Sequence, residues 1–141
     1  MTPRQLLDHL AALGITPSGV ADDSRQVRPG DVFLAYPGGV ADGRRYIEDA
    51  IARGAVAVCW SPEGDFAWNP AWTVANLPCA QLRPLAGPLA SLVYGHPSEG
   101  LSLIAITGTN GKTTISQCIA RAYAKPCAII GTLGAGFPDA L

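Results

Sequence analysis

The sequence predicts an α/β protein: a small N-terminal α/β unit over residues 1–95, then the beginning of a second α/β domain over residues 101–141. Three observations carry this reading. Apolar runs of strand length at residues 32–36, 55–60 and 101–106 alternate with segments of helical periodicity. Glycine and proline clusters near residues 28–31, 37–39 and 95–100 punctuate them. With 141 residues and 48% apolar content, the chain has material for one packed core and part of another.

Taken in order, Thr2 and Pro3 read as an N-cap and a first helical residue. Leu6, Leu7, Leu10 and Leu13 then recur at helical spacing, and Gly14 closes the helix. Arg28-Pro29-Gly30-Asp31 is a turn into the strand at 32–36, and Pro37-Gly38-Gly39 ends that strand in a loop expected to need unusual backbone angles. Asp42-Gly43 precedes a second helix whose apolar face is Tyr46, Ile47, Ala50 and Ile51, with Gly54 as its stop. The continuous apolar run at 55–60 predicts a buried strand. Residues 61–70 are turn-rich surface loop, and 72–75 is a further candidate strand. Leu82, Leu85, Leu89 and Val93 give residues 80–94 a helical period, while Pro84 and Pro88 predict a late start or a kink.

Gly95-His96-Pro97-Ser98-Glu99-Gly100 is the candidate linker. Beyond it stand a buried strand at 101–106, a glycine loop, a helix carrying Ile115, Cys118, Ile119 and Ala122, and a strand at 127–130. One strand-helix-strand unit cannot cover both faces of its sheet, so the second domain reads as truncated.

Composition excludes several classes. A net charge of −1 without a basic cluster argues against nucleic-acid binding. Cys59, Cys79, Cys118 and Cys127 have neither metal-ligand nor redox spacing and read as free thiols of a reducing compartment. Arg4, Asp8 and His9 interrupt the N-terminal apolar run, which argues against a signal peptide. No stretch approaches the roughly 20 apolar residues of a membrane span. A cytoplasmic protein without membrane insertion is expected; the oligomeric state is unreadable.

The chemistry lies in Gly108-Thr109-Asn110-Gly111-Lys112-Thr113-Thr114, between an apolar run and a helical segment. A helix start offers unpaired N–H groups and partial positive charge, and glycines let the backbone wrap a phosphate closely. Lys112 would bridge terminal phosphates as the catalytic cation, and Thr113 would offer its hydroxyl to Mg²⁺. The usual phosphate loop carries a glycine five positions before its second glycine, where this chain has Ile106. The competing reading is a plain glycine turn with an exposed lysine.

Residues 104–114, Ile-Ala-Ile-Thr-Gly-Thr-Asn-Gly-Lys-Thr-Thr, resemble the ATP loop of the Mur ligases, the enzymes that build the peptide stem of peptidoglycan; the shortened loop is that family's own variant. Asp23-Ser24-Arg25, Pro29-Gly30-Asp31-Val32-Phe33 and Asp42-Gly43-Arg44-Arg45-Tyr46-Ile47 resemble the same family's UDP-substrate domain. The resemblance implies a UDP-substrate domain followed by the start of a phosphate-loop, mononucleotide-binding domain. It implies ATP and Mg²⁺, with ATP held by Gly108, Thr109, Asn110, Gly111, Lys112, Thr113 and Thr114. It places Asp22, Ser24, Gly39, Val40 and Ala41 at the UDP-sugar. The family often has a histidine and a polar residue where this chain has Gly39 and Val40, which leaves backbone contacts there. For Ser24 a local turn hydrogen bond competes; Asp42 and Arg44 read as a helix cap and a solvated charge.

The combination points to the family branch that adds the third amino acid, meso-diaminopimelate ahead of L-lysine, to UDP-N-acetylmuramoyl-L-alanyl-D-glutamate through an acyl phosphate. Alternatives are the branch adding D-alanyl-D-alanine, a non-catalytic UDP-sugar and nucleotide binder, and an unrelated phosphate-loop kinase or ATPase.

Overall fold

The computed structural model describes residues 1–39 and 41–140. The chain divides into two compact units, Met1–Leu101 and Ser102–Leu141.

The first unit is built on a parallel sheet of four strands, β1 (Gly19–Ala21), β2 (Asp31–Ala35), β3 (Ala57–Trp60) and β4 (Ala75–Pro78), in spatial order 1-2-3-4. The register sets Val20 against Val32, Phe33 against Val58 and Cys59 against Leu77. Strand alternation then sorts the side chains. Val32, Leu34, Ala57, Cys59 and Leu77 face one way, onto Leu6 and Leu10 of α1 (Pro3–Ala12) and Leu82 and Leu89 of α3 (Leu82–Val93). Phe33, Ala35 and Val58 face the other way, onto Ile47 and Ala50 of α2 (Ile47–Ala52). Both faces are covered, which is why these strands read as nearly continuous apolar runs.

Local chemistry sets the element ends. Thr2 and Gln5 form a capping box at α1, with Thr2 Oγ1 accepting from the Gln5 N–H and Gln5 Oε1 from the Thr2 N–H. A 3-10 turn, Gly43–Tyr46, leads into α2, so Tyr46 lies ahead of the helix and is exposed rather than on its buried face. In α3, Pro84 falls in the first turn, where no N–H is needed, and Pro88 is tolerated inside. The helix does start late, at Leu82.

Two further expectations for this unit are corrected. The strand expected at 72–75 lies at Ala75–Pro78. Trp72 instead packs edge-on against Trp68, with ring centroids 5.0 Å apart, and Trp68 stacks on Trp60 at 6.0 Å. The aromatic residue that resembled the start of a strand thus anchors the loop between β3 and β4. At the end of β2, Gly38 and Gly39 do not adopt a positive φ. Space is what Gly38 supplies: its N–H donates to the Ala41 carbonyl at 2.8 Å, and a Cβ there would stand 2.8 Å from that same oxygen. The strand β1 was not foreseen; three residues, Gly-Val-Ala, are too short to show a period.

The second unit holds α4 (Lys112–Ala122) and an antiparallel pair, β5 (Ile129–Gly131) and β6 (Gly134–Gly136). Residues 101–106 form no strand, and Leu103 is 82% exposed. A parallel strand exists only by pairing, and no described segment pairs with this one. The expected apolar face of α4 is likewise uncovered: Ile115 and Cys118 are exposed, and Ala120 is the buried residue. Pro97–Gly100, within the candidate linker, is a 3-10 turn. No helix among the described residues is long and apolar enough to cross a membrane.

Candidate functional site

In the first unit a cleft of about 610 Å³ opens beyond the carboxyl ends of β1 and β2. Parallel sheets gather their ligand sites there because the loops leaving successive strands converge. Asp22, Asp23, Ser24 and Arg25 follow β1 directly; Tyr36, Gly38, Ala41 and Gly43 follow β2; Tyr46 and Asp49 come from the approach to α2 and from its first turn; Arg83 comes from the start of α3.

The Tyr36 hydroxyl donates to Asp22 Oδ2 at 2.7 Å. Burial, then this bond to Asp22, pushes the Tyr36 phenol up to about 12, with the Arg83 guanidinium opposing. Tyr36 therefore remains a neutral donor at physiological pH. Asp23 caps the 3-10 turn Ser24–Gln26 by accepting from the Arg25 N–H, and the Arg25 guanidinium grips both Asp23 oxygens at 2.7–3.2 Å. Those bonds hold the Asp23 carboxyl down to about 2. Ser24 is buried, and its hydroxyl, ahead of Arg53, lowers the Asp49 carboxyl.

Of the residues expected at the UDP-sugar, Asp22, Ser24 and Ala41 line this cleft. Gly39 is exposed and is not among the lining residues, and Val40 lies outside the described residues. Sequence reasoning missed Tyr36, Tyr46, Asp49 and Arg83; the available signal was position, since Tyr36 immediately follows a strand. Asp42 does cap the turn Gly43–Tyr46. Arg44, however, is not a solvated charge. Its side chain is 11% exposed, pairs with both Asp42 oxygens, donates to the Ser61 and Glu63 carbonyls, and lies 5.0 Å from the Phe66 ring centroid. It pins the aromatic loop to the turn.

In the second unit the residues expected at ATP form a helix entrance. Gly111 caps α4 at φ +75, a left-handed conformation that a side chain resists. No side chain caps the helix, and the first amide to enter it is that of Ile115, donating to the Gly111 carbonyl. The N–H groups of Lys112, Thr113 and Thr114 precede that bond, and all three residues are exposed. Lys112 Nζ folds back onto the Gly108 carbonyl. Unpaired amides at a helix start together with an ammonium are groups that can meet an anion. Among the described residues no group of three His, Cys, Asp or Glu side chains is disposed to hold a metal, and all four cysteines are free.

The family model described as the Mur ligase family catalytic domain matches residues 16–94, more than half of the chain. The chain belongs to the Mur ligase family. That match takes in every residue lining the cleft, and a second, for the Mur ligase middle domain, covers residues 106–140 and with them the helix entrance. Among curated relatives, the UDP-N-acetylmuramoyl-L-alanyl-D-glutamate--2,6-diaminopimelate ligase of Nitrosomonas europaea is 55% identical over 122 residues, covering 84% of this chain and 23% of the relative. The namesake from Janthinobacterium is 46% identical over 134 residues, 93% and 26% of the two chains. The chain spans about a quarter of the length of the curated relatives it matches. A solved ligase of the same name aligns at a TM-score of 0.55 and 31% identity over 85% of this chain and 24% of its own. The Mur ligase MurF of Thermotoga maritima, solved with ADP, aligns at 0.52 and 25% identity over 75% and 23%.

Proposed function

We propose that this Mur ligase chain supplies the two nucleotide-holding parts of an ATP-dependent, amide-forming ligase of peptidoglycan biosynthesis. The cleft holds the UDP end of UDP-N-acetylmuramoyl-L-alanyl-D-glutamate, and the helix entrance at Lys112 holds the phosphates of ATP. The observation that carries this is the uncapped start of α4, where three amides and one ammonium stand together within a matched middle domain. The ADP in the aligned Thermotoga maritima ligase supports it. Several relatives named for diaminopimelate support that amino acid as the one added, in the cytoplasm, where four free thiols are at home.

In this reading the γ-phosphoryl group passes to the substrate's terminal carboxylate, and the acyl phosphate is attacked by the amine of the incoming amino acid, releasing phosphate as the amide forms. Lys112 leaves the Gly108 carbonyl and follows charge onto the transferring group, while the amides of Thr113 and Thr114 hold its oxygens. Thr113, exposed at the second helical position, fits a Mg²⁺ that takes one protein oxygen and otherwise phosphate and water. That ion would neutralise charge developing between the phosphates.

Lys112→Ala in the ligase carrying this chain is expected to lower phosphate release by about 10²- to 10³-fold. Calorimetry should show unchanged affinity for UDP-N-acetylmuramoyl-L-alanyl-D-glutamate. Undiminished turnover would remove Lys112 from the mechanism.

A further inference from the structure

The cleft has an electrostatic problem that the fold solves at one position. Its lining carries three carboxylates, Asp22, Asp23 and Asp49, against two guanidinium groups, Arg25 and Arg83. A cleft of that balance repels an anion unless a cation is free to meet it. Arg25 is not free, since it makes a two-pronged pair with Asp23. Asp22 is occupied by the Tyr36 hydroxyl, and Asp49 is paired with Arg53. The ion pairs among the described residues are Arg4–Asp8, Arg25–Asp23, Arg44–Asp42 and Arg53–Asp49, joined by His96–Glu99 when the imidazole is protonated, and Arg83 belongs to none.

Its placement is also locally unfavourable. Arg83 is the second residue of α3, a helix with no acidic residue in its first turn and no side-chain cap at Gln81. A cation there opposes the helix dipole, where an acidic residue would be at home. A side chain that breaks a local rule at the rim of a cleft is expected to serve the cleft. An arriving anion relieves both defects, because it meets the guanidinium and the positive end of the helix together. The planar fork of arginine suits two phosphate oxygens at once.

We infer that Arg83 is the binding residue that selects a diphosphate in this cleft, so that the site discriminates a nucleoside diphosphate from the bare nucleoside. The inference rests on the cleft being the UDP site. Tyr36 and Asp22, joined by their hydrogen bond, are then left for the uncharged part of the ligand, and Arg83 carries its charge.

The test is titration calorimetry of the whole chain with UDP and, separately, with uridine. Arg83 is exposed, so its replacement leaves the core untouched, and a thermal melt checks this. Arg83→Gln is expected to weaken UDP binding by roughly 10- to 100-fold while uridine affinity stays within about twofold. Arg83→Lys should recover part of the loss. The wild-type affinity for UDP, but not that of Arg83→Gln, should fall markedly between about 50 and 300 mM salt. UDP affinity within twofold of wild type in Arg83→Gln overturns the assignment, as does an equal loss for UDP and uridine. A wild-type chain that binds neither ligand defeats the UDP reading of the cleft itself.

Discussion

The two units are held together by different means. Met1–Leu101 wraps a four-stranded sheet on both faces, and among the described residues every buried apolar side chain except Ala120 lies within it. Ser102–Leu141 pairs two three-residue strands, both glycine-containing, and leaves Leu103 82% and Ile130 90% exposed. A two-stranded ribbon and one helix have no second layer to bury a face against. Its helix start at Lys112 nonetheless forms without a core. The amides and ammonium at Lys112 are products of one helix start, whereas the cleft of the first unit requires the ends of β1 and β2 and the starts of α2 and α3 to be brought together. The second unit therefore contributes a local device, and the first a tertiary one.

The largest expected effect tests where stability resides. Phe33 is fully buried at the centre of one face of the sheet, and Phe33→Ala should destabilise the first unit by about 3–5 kcal/mol. Urea unfolding followed by tryptophan fluorescence reads this unit alone, because Trp60, Trp68 and Trp72 all lie in it. A loss below about 1 kcal/mol would mean that the sheet is not the unit's core.

Arg44→Ala should cost less, about 1.5–3 kcal/mol, the range for hydrogen bonds to charged groups. It removes bonds to Asp42, Ser61 and Glu63 in one step. The same variant changes the acid limb. The Asp42 carboxyl is lowered from 3.8, first by its side-chain hydrogen bond from Arg44. A lowered carboxyl contributes stability above its unfolded pKa, and that contribution fades as pH falls from near 3.8 through the lowered value. Unfolding curves of Arg44→Ala across this window should be flatter than those of the wild type. Parallel curves would show that the pair does not govern it.

The smallest effect sharpens the contrast. Ile130→Ala in this chain should shift stability by no more than about 0.5 kcal/mol, despite removing a large apolar side chain. A loss comparable to that of Phe33→Ala, measured by calorimetric melting, would give the second unit a core that its exposed residues do not show.

Legibility in the sequence followed the range of the interaction involved. Thr2, Pro3 and Gly14 announced α1 because a cap and a stop are decided within a few residues. Residues 101–106 misled for the opposite reason: an apolar run has strand propensity, but a strand is a relation between segments. Trp72 misled because an aromatic residue satisfies a strand pattern and a loop anchor equally well, and its contact with Trp68 chose the second. At the cleft, Asp22, Ser24 and Ala41 were reached by resemblance, while Tyr36, Asp49 and Arg83 were not. Nothing in the local sequence of Arg83 says that α3 begins at the rim of a site formed by β1 and β2.

By itself the sequence determined the helix entrance, since glycine at φ +75, the uncapped amides after it and the adjacent lysine act over one helical turn. Tertiary structure alone decided which charges share the cleft and which of them is left free. Side-chain convergence there depends on strand register and on the order of strands in the sheet, and these arise only when distant segments bury their apolar faces against one another.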